Sequence, residues 1–190
     1  MTSPPPVPAG TAPPGSLAAD ILARVRDVAD FPTQGVVFKD ITPLLADGEA
    51  LKRVVDGLAE PHRQGDGAVD VVVGIEARGF ILAAPVAVAL GVGFVPVRKI
   101  GKLPSTTVSA TYELEYGTAE VEVHADGVQP GQRVLLVDDV LATGGTAAAA
   151  TGLVRRLGGV VRGVSVLMEL AFLQGRSRLP GLDVRSLVAV

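Results

Sequence analysis

Val134-Leu135-Leu136-Val137-Asp138-Asp139-Val140-Leu141-Ala142-Thr143-Gly144-Gly145-Thr146 is the stretch whose reading decides the fold. Four apolar residues run unbroken, as in a strand covered on both faces of a parallel sheet. Two carboxylates follow, then a small-residue turn, then an Ala-rich segment that reads as a helix. The turn Thr143-Gly144-Gly145-Thr146 lets backbone N–H groups approach an anion, and the helix behind it points its positive end there. One strand therefore delivers two acids and a phosphate cradle to one sheet edge, the carboxyl edge where open α/β sheets bind ligands. A phosphate and vicinal hydroxyls a few ångströms apart describe a ribose 5-phosphate. The plain alternative is a buried strand, two solvated acids and an ordinary turn. A strand-end metal site of an ATPase would need an upstream Gly-x-x-x-x-Gly-Lys-Ser/Thr loop, and the sequence has none.

Outward from this stretch, strands alternate with helices, which predicts an α/β fold with a parallel sheet. Buried strands are expected at Val69 to Gly74, Val95 to Arg98 and Val160 to Leu170, with an edge strand at Leu182 to Val190. Ser16 should cap a helix from Leu17 to Ala29, with Leu17, Ile21, Val25 and Val28 at helical spacing. Asp47 should cap another, from Gly48 to about His62. Two prolines and a glycine make Phe31 to Leu45 read as a loop rather than a strand. Thr106 to Glu115 and Thr118 to His124 read as a hairpin around Tyr116-Gly117. Asp126 to Arg133 is a polar loop turning at Pro130-Gly131. The helix after the cradle should stop at Gly158-Gly159, with Arg155 and Arg156 suiting its last turn. Residues 171 to 180 read as a short helix or loop.

Composition bounds the rest. The chain has 190 residues, 48% of them apolar, a net charge of −3 and no cysteine. That is enough for one domain, 16–190, with a real core. Residues 1–15 are Pro/Gly/Ala-rich without periodicity and read as a disordered tail. No basic block with aromatic interleaving points to nucleic acid. Without cysteine there is no disulfide framework and no thiolate metal site. The N-terminus lacks a signal-peptide pattern, so the cytoplasm is the expected compartment. Gly79 to Val97 carries no charge over nineteen residues, long enough for a membrane span. Pro85, Gly91, Gly93 and Pro96 interrupt it, so it reads as a helix and a buried strand. His62 and His124 are expected at the surface.

The Val134–Thr146 stretch resembles the phosphoribosyl pyrophosphate signature of type I phosphoribosyltransferases. Further stretches are similar to the adenine phosphoribosyltransferases: Val37-Phe38-Lys39, Arg98-Lys99-Ile100-Gly101-Lys102-Leu103-Pro104, Ser109 to Gly117, and Met168-Glu169-Leu170. The resemblance spans about residues 17 to 188. It implies a parallel twisted sheet flanked by helices, with a small hood from about 31–45 and the C-terminal part. The implied reaction is adenine plus 5-phosphoribosyl 1-pyrophosphate giving AMP and pyrophosphate, with Mg2+, in a homodimer. Adenine would lie between Phe38 and Leu170, meeting main-chain groups of Val37 and Lys39. Ala142 to Thr146 would hold the 5-phosphate. Arg78, Arg98, Lys99 and Lys102 would face pyrophosphate, with Glu76 to orient Arg78. Asp138 and Asp139 would hold ribose hydroxyls or metal-bound waters, and Glu115-Tyr116 would close over the reacting centre. Without the resemblance, Phe31 to Leu45 reads as a hydrophobic strap. Two rivals share the cradle: a transferase acting on hypoxanthine or guanine, with Lys39 donating to a 6-oxo group, and a non-enzymatic sensor of phosphoribosyl pyrophosphate.

Overall fold

The computed structural model describes residue 13, residues 15–113 and residues 117–190. Most of the N-terminal tail and the Glu115-Tyr116 pair lie outside the described residues.

A seven-stranded sheet forms the centre. It contains β3 (Val71–Ile75), β4 (Gly93–Lys99), β5 (Thr107–Glu113), β6 (Thr118–His124), β7 (Arg133–Leu141), β8 (Val160–Glu169) and β9 (Val184–Ala189) in the order β5-β6-β4-β3-β7-β8-β9. The five strands from β4 to β9 run parallel, while the β5–β6 hairpin extends the sheet antiparallel. The sheet is thus mixed, where the sequence pattern predicts a parallel one and sets the hairpin apart.

Both faces of the central strands are covered, which explains their unbroken apolar runs. Val72, Leu135, Val137 and Leu167 face a layer built from α1 (Leu17–Arg24), α2 (Thr42–Ala46), α3 (Gly48–Ala59) and α4 (Arg78–Leu90). The alternate residues Val71, Val73, Val134 and Leu136 face the other side, where Ala150, Leu153 and Val154 of α5 (Gly145–Arg156) meet them. Each such side chain contributes about 1.5–3 kcal/mol on burial.

Helix ends follow the sequence signals closely. The Ser16 hydroxyl accepts from the Ala19 amide, and the Asp47 carboxylate accepts from Glu49 and Ala50. Gly91, at φ +71°, ends α4 with the paired bonds of a Schellman turn. The uncharged stretch from Gly79 is therefore a helix and then β4. No helix among the described residues is long and apolar enough to cross a membrane.

Two expectations fail near the N-terminus. The first helix stops at Arg24, and Arg26–Ala29 becomes strand β1, pairing antiparallel with β2 (Val37–Asp40). The Phe31–Leu45 segment is accordingly half of a hairpin followed by α2, not a loop. His62 corrects a third. It is 3% exposed, its Nε2 lies 3.0 Å from Ser165 Oγ and its Nδ1 3.2 Å from the Gly67 carbonyl. Burial holds its pKa below the ordinary value.

Candidate active site

The parallel register of β3 and β7 sets Gly74 beside Val137, so both strands end at the same edge. The turn Glu76-Ala77 leaves β3 there and α4 begins at once with Arg78. Asp138 and Asp139 leave β7 alongside.

Arg78 is the crossing point. Its Nη2 lies 2.6 Å from Asp139 Oδ2. Its Nη1 donates to the Lys39 carbonyl at 3.2 Å, and its guanidinium stacks 4.7 Å from the centroid of the Phe38 ring. Phe31 meets Phe38 edge-on, with ring centroids 5.1 Å apart. One guanidinium thus joins the β1–β2 hairpin to the acid pair.

The two acids differ. Asp139 is 6% exposed, and its Oδ2, although ion-paired with Arg78, makes no directed hydrogen bond. Asp138 accepts the Asp139 amide on Oδ1 at 2.8 Å. Burial, then the neighbouring Asp139 charge, pushes the Asp138 carboxyl well above its usual range, with Arg78 opposing.

Two cavities meet at these acids. One of about 350 Å³ is lined by Phe38, Ile75 to Arg78, Lys99, Tyr112, Val121, both aspartates and Thr146. A smaller one of about 70 Å³ lies within the turn, lined by Asp138, Val140 to Ala147 and Val166. They share Asp138 and Thr146, so acid pair and turn face common space. The turn is held tightly. Gly144 sits at φ +81°, and a Cβ there would strike the Gly175 carbonyl. A Cβ on Gly175 would strike the Ala142 carbonyl in return. The Gly175 segment is itself anchored where Arg176 meets the buried Glu169 carboxylate, Nε to Oε1 at 2.7 Å.

Of the other cations expected to face pyrophosphate, Lys99 lines the larger cavity, and Arg98 and Lys102 line neither. Arg98 donates to Glu76 Oε2 at 3.1 Å and to the Lys102 carbonyl at 3.0 Å. Glu76 therefore orients Arg98, not Arg78: β3–β4 register brings Ile75 opposite Val97 and so sets Glu76 beside Arg98. Burial disfavours Glu76 ionisation, but the Lys99 amide and the Arg98 guanidinium outweigh it and hold its pKa below the usual range. The Lys102 and Leu103 amides both donate to buried Glu122, while the Lys102 residue itself is exposed. Lys39 sends its ammonium to Asp27, 2.8 and 2.9 Å from the two oxygens. Val37 is half exposed, and Leu170 packs partly buried against the apolar core, outside the lining of the cavity that holds Phe38.

Phosphoribosyl transferase domains match this chain over residues 44–176. The adenine phosphoribosyltransferase of Thermobifida fusca is 61% identical over 166 residues, 87% of this chain and 93% of the relative. That of Acidothermus cellulolyticus is 57% identical, covering 94% and 99%. The chain belongs to the adenine phosphoribosyltransferase family. Its fold agrees: the adenine phosphoribosyltransferase of Thermoanaerobacter pseudethanolicus superposes with a TM-score of 0.87 at 49% identity, over 92% of this chain and all of that one. The Saccharomyces cerevisiae adenine phosphoribosyltransferase, crystallised with adenine and an imino-altritol bisphosphate, does so at 0.85 and 39% identity, over 90% and 98%.

Tyr112, in the lining of the larger cavity, and Gly175, packed on the phosphate turn, belong to the site without standing in any of its sequence motifs as a named site residue. Tyr112 had a signal, since Val108, Ala110 and Tyr112 alternate on β5 and pack together on the core side. Gly175 had none, because it is required by Ala142, a residue distant in the chain.

Proposed function

We propose that this chain converts adenine and 5-phosphoribosyl 1-pyrophosphate to AMP and pyrophosphate. The observation that carries the reading is the Arg78 bridge, which joins an aromatic base wall to an acid pair that shares its space with a phosphate turn. The purine rests on Phe38 and against Leu170, its edge meeting main-chain groups of Val37 and Lys39. Amides of Ala142 to Thr146 and the two Thr hydroxyls hold the 5-phosphate.

As the bond from ribose C1 to pyrophosphate breaks, the ribose becomes oxocarbenium-like. Asp138 and Asp139 hold the ribose hydroxyls and set negative charge beside the developing cation. Arg78, Arg98, Lys99 and Lys102 hold the departing pyrophosphate. Glu115 and Tyr116, to which the family resemblance gives closure over the centre, lie outside the described residues.

The donor set suits magnesium. Asp139 Oδ2 is buried without a directed hydrogen bond, and Asp138 stands beside it. Among the described residues no three His, Cys, Asp or Glu side chains form a cage. Two carboxylates fit a hard cation that keeps waters and takes its other ligands from phosphate oxygens. When bound, Mg2+ supplies charge neutralisation for the leaving pyrophosphate.

Assembly as a homodimer is part of the reading. Ile81 and Val88, seven residues apart on one face of α4, are 45% and 81% exposed and offer apolar area to cover. The cytoplasm is the proposed compartment, because a multiply charged sugar pyrophosphate does not cross a bilayer unaided.

Lys39 bears on base choice. With its ammonium engaged by Asp27, it is poorly placed to donate to a 6-oxo group, while backbone carbonyls suit a 6-amino group. Pyrophosphate release should be at least about two orders of magnitude faster per active site with adenine than with hypoxanthine. Comparable rates would reject the assignment, and sugar-phosphate binding without turnover would favour a sensor.

A further inference from the structure

Arg178 ends the short 3₁₀ turn Gly175–Arg178, the segment packed against the phosphate turn. Its Nη1 lies 3.6 Å from the point where a Cβ on Gly145 would sit. Gly145 is the first residue of α5, a twelve-residue helix with no acidic residue in its first turn. A guanidinium is thus set against the positive end of a helix dipole, a placement disfavoured unless an anion lies between them. Arg178 is exposed and has no ion pair, hydrogen bond or ring contact with any described residue. Its neighbour Arg176 differs sharply, being tied to Glu169, the Val184 carbonyl and Ser186. That anchoring, with Gly175 wedged at Ala142 and Gly144, fixes the backbone from which Arg178 projects.

We propose that Arg178 is a further phosphate-binding residue. It rests on the function proposed above and adds a side chain to it. The turn amides grip the 5-phosphate from within, and the Arg178 fork takes the outward oxygens of the phosphate shared by 5-phosphoribosyl 1-pyrophosphate and AMP. A planar fork suits two such oxygens at once, which an ammonium does not.

The test uses the full chain with Arg178→Gln and Arg178→Lys. Steady-state kinetics are combined with calorimetric titration of ribose 5-phosphate and, separately, of pyrophosphate. In R178Q the KM for phosphoribosyl pyrophosphate should rise about tenfold or more, as for loss of a hydrogen bond to a charged group. Ribose 5-phosphate affinity should fall in step. R178K should recover part of the loss, pyrophosphate affinity should stay unchanged, and the unliganded Tm should not fall. Ribose 5-phosphate affinity within twofold of wild type in R178Q overturns the proposal. So does a loss shared equally by pyrophosphate, or one accompanied by a fall in Tm, because either marks a structural role. Wild-type protein that fails to turn over adenine sinks the reaction assignment, while the ribose 5-phosphate titration still judges Arg178.

Discussion

Replacing Gly79 with alanine should lower turnover while leaving the fold nearly as stable. Gly79 is the second residue of α4, and a Cβ there would lie 2.6 Å from Asp138 Oδ1 and 3.2 Å from both Asp138 Cα and the Val137 carbonyl. Ordinary contact begins at 3.4 Å, so the carboxylate must retreat by about 0.8 Å. It cannot swing freely, since Oδ1 also accepts the Asp139 amide. A displacement of about 1 Å at a reacting centre costs on the order of 10²-fold in rate. We expect kcat to fall by about 30- to 100-fold, with a smaller change in KM. Overpacking costs about 1–3 kcal/mol, and alanine in place of helical glycine returns about 0.5–1 kcal/mol. The net, roughly 0–2.5 kcal/mol, corresponds to a Tm drop of no more than about 10 °C in a chain of this size. Gly152→Ala is the control. It sits in α5 with open space around it, so Tm should rise by about 1–4 °C and activity should not change. A G79A enzyme that folds and keeps kcat within threefold of wild type would refute the claim that the position of Asp138 sets the rate.

Other outcomes follow from the same charges. Asp138 has a raised pKa, so its contribution to stability is full below the ordinary aspartate range and lost as pH rises through the folded-state value. Asp138→Asn should therefore raise Tm relative to wild type more at pH 8 than at pH 5, while abolishing most turnover; an equal shift at both would count against it. Arg78 holds the Asp138 pKa down, so Arg78→Gln should move the acid limb of kcat/KM to higher pH, and an unmoved limb would remove Arg78 from that role. Arg176→Met strands the buried Glu169 carboxylate and should cost about 3 kcal/mol, read by urea unfolding. Adding Glu169→Gln should recover part of that loss, and no recovery would mean Arg176 acts by packing alone.

What could be read from the chain depended on whether the cause lay nearby in sequence. The strand–acids–turn–helix unit from Val134 to Arg156 is local, and its apolar run, carboxylates and glycines stand in the order of the structure. The same holds for Ser16, Asp47 and Gly91 at helix ends. Arg26–Ala29 was opaque because its strand is four residues long and mostly exposed, so no buried face writes a period of two into it. Val25 and Val28 instead continued the helical spacing of Leu17 and Ile21. Glu76 was paired with Arg78 two residues away, whereas the sheet supplies Arg98 from the adjacent strand. His62 carries no mark of its partner Ser165, 103 residues on. Gly175 likewise answers to the Ala142 carbonyl, which only the folded chain brings to it.

The Arg78 bridge has a consequence for how the two substrates sense each other. A single guanidinium rests on Phe38, where the purine would lie, and is ion-paired with Asp139, where the ribose would lie. Occupants of both places would then bear on one shared side chain. Whatever factor one occupant lends to the grip on its companion must be repaid in equal measure the other way.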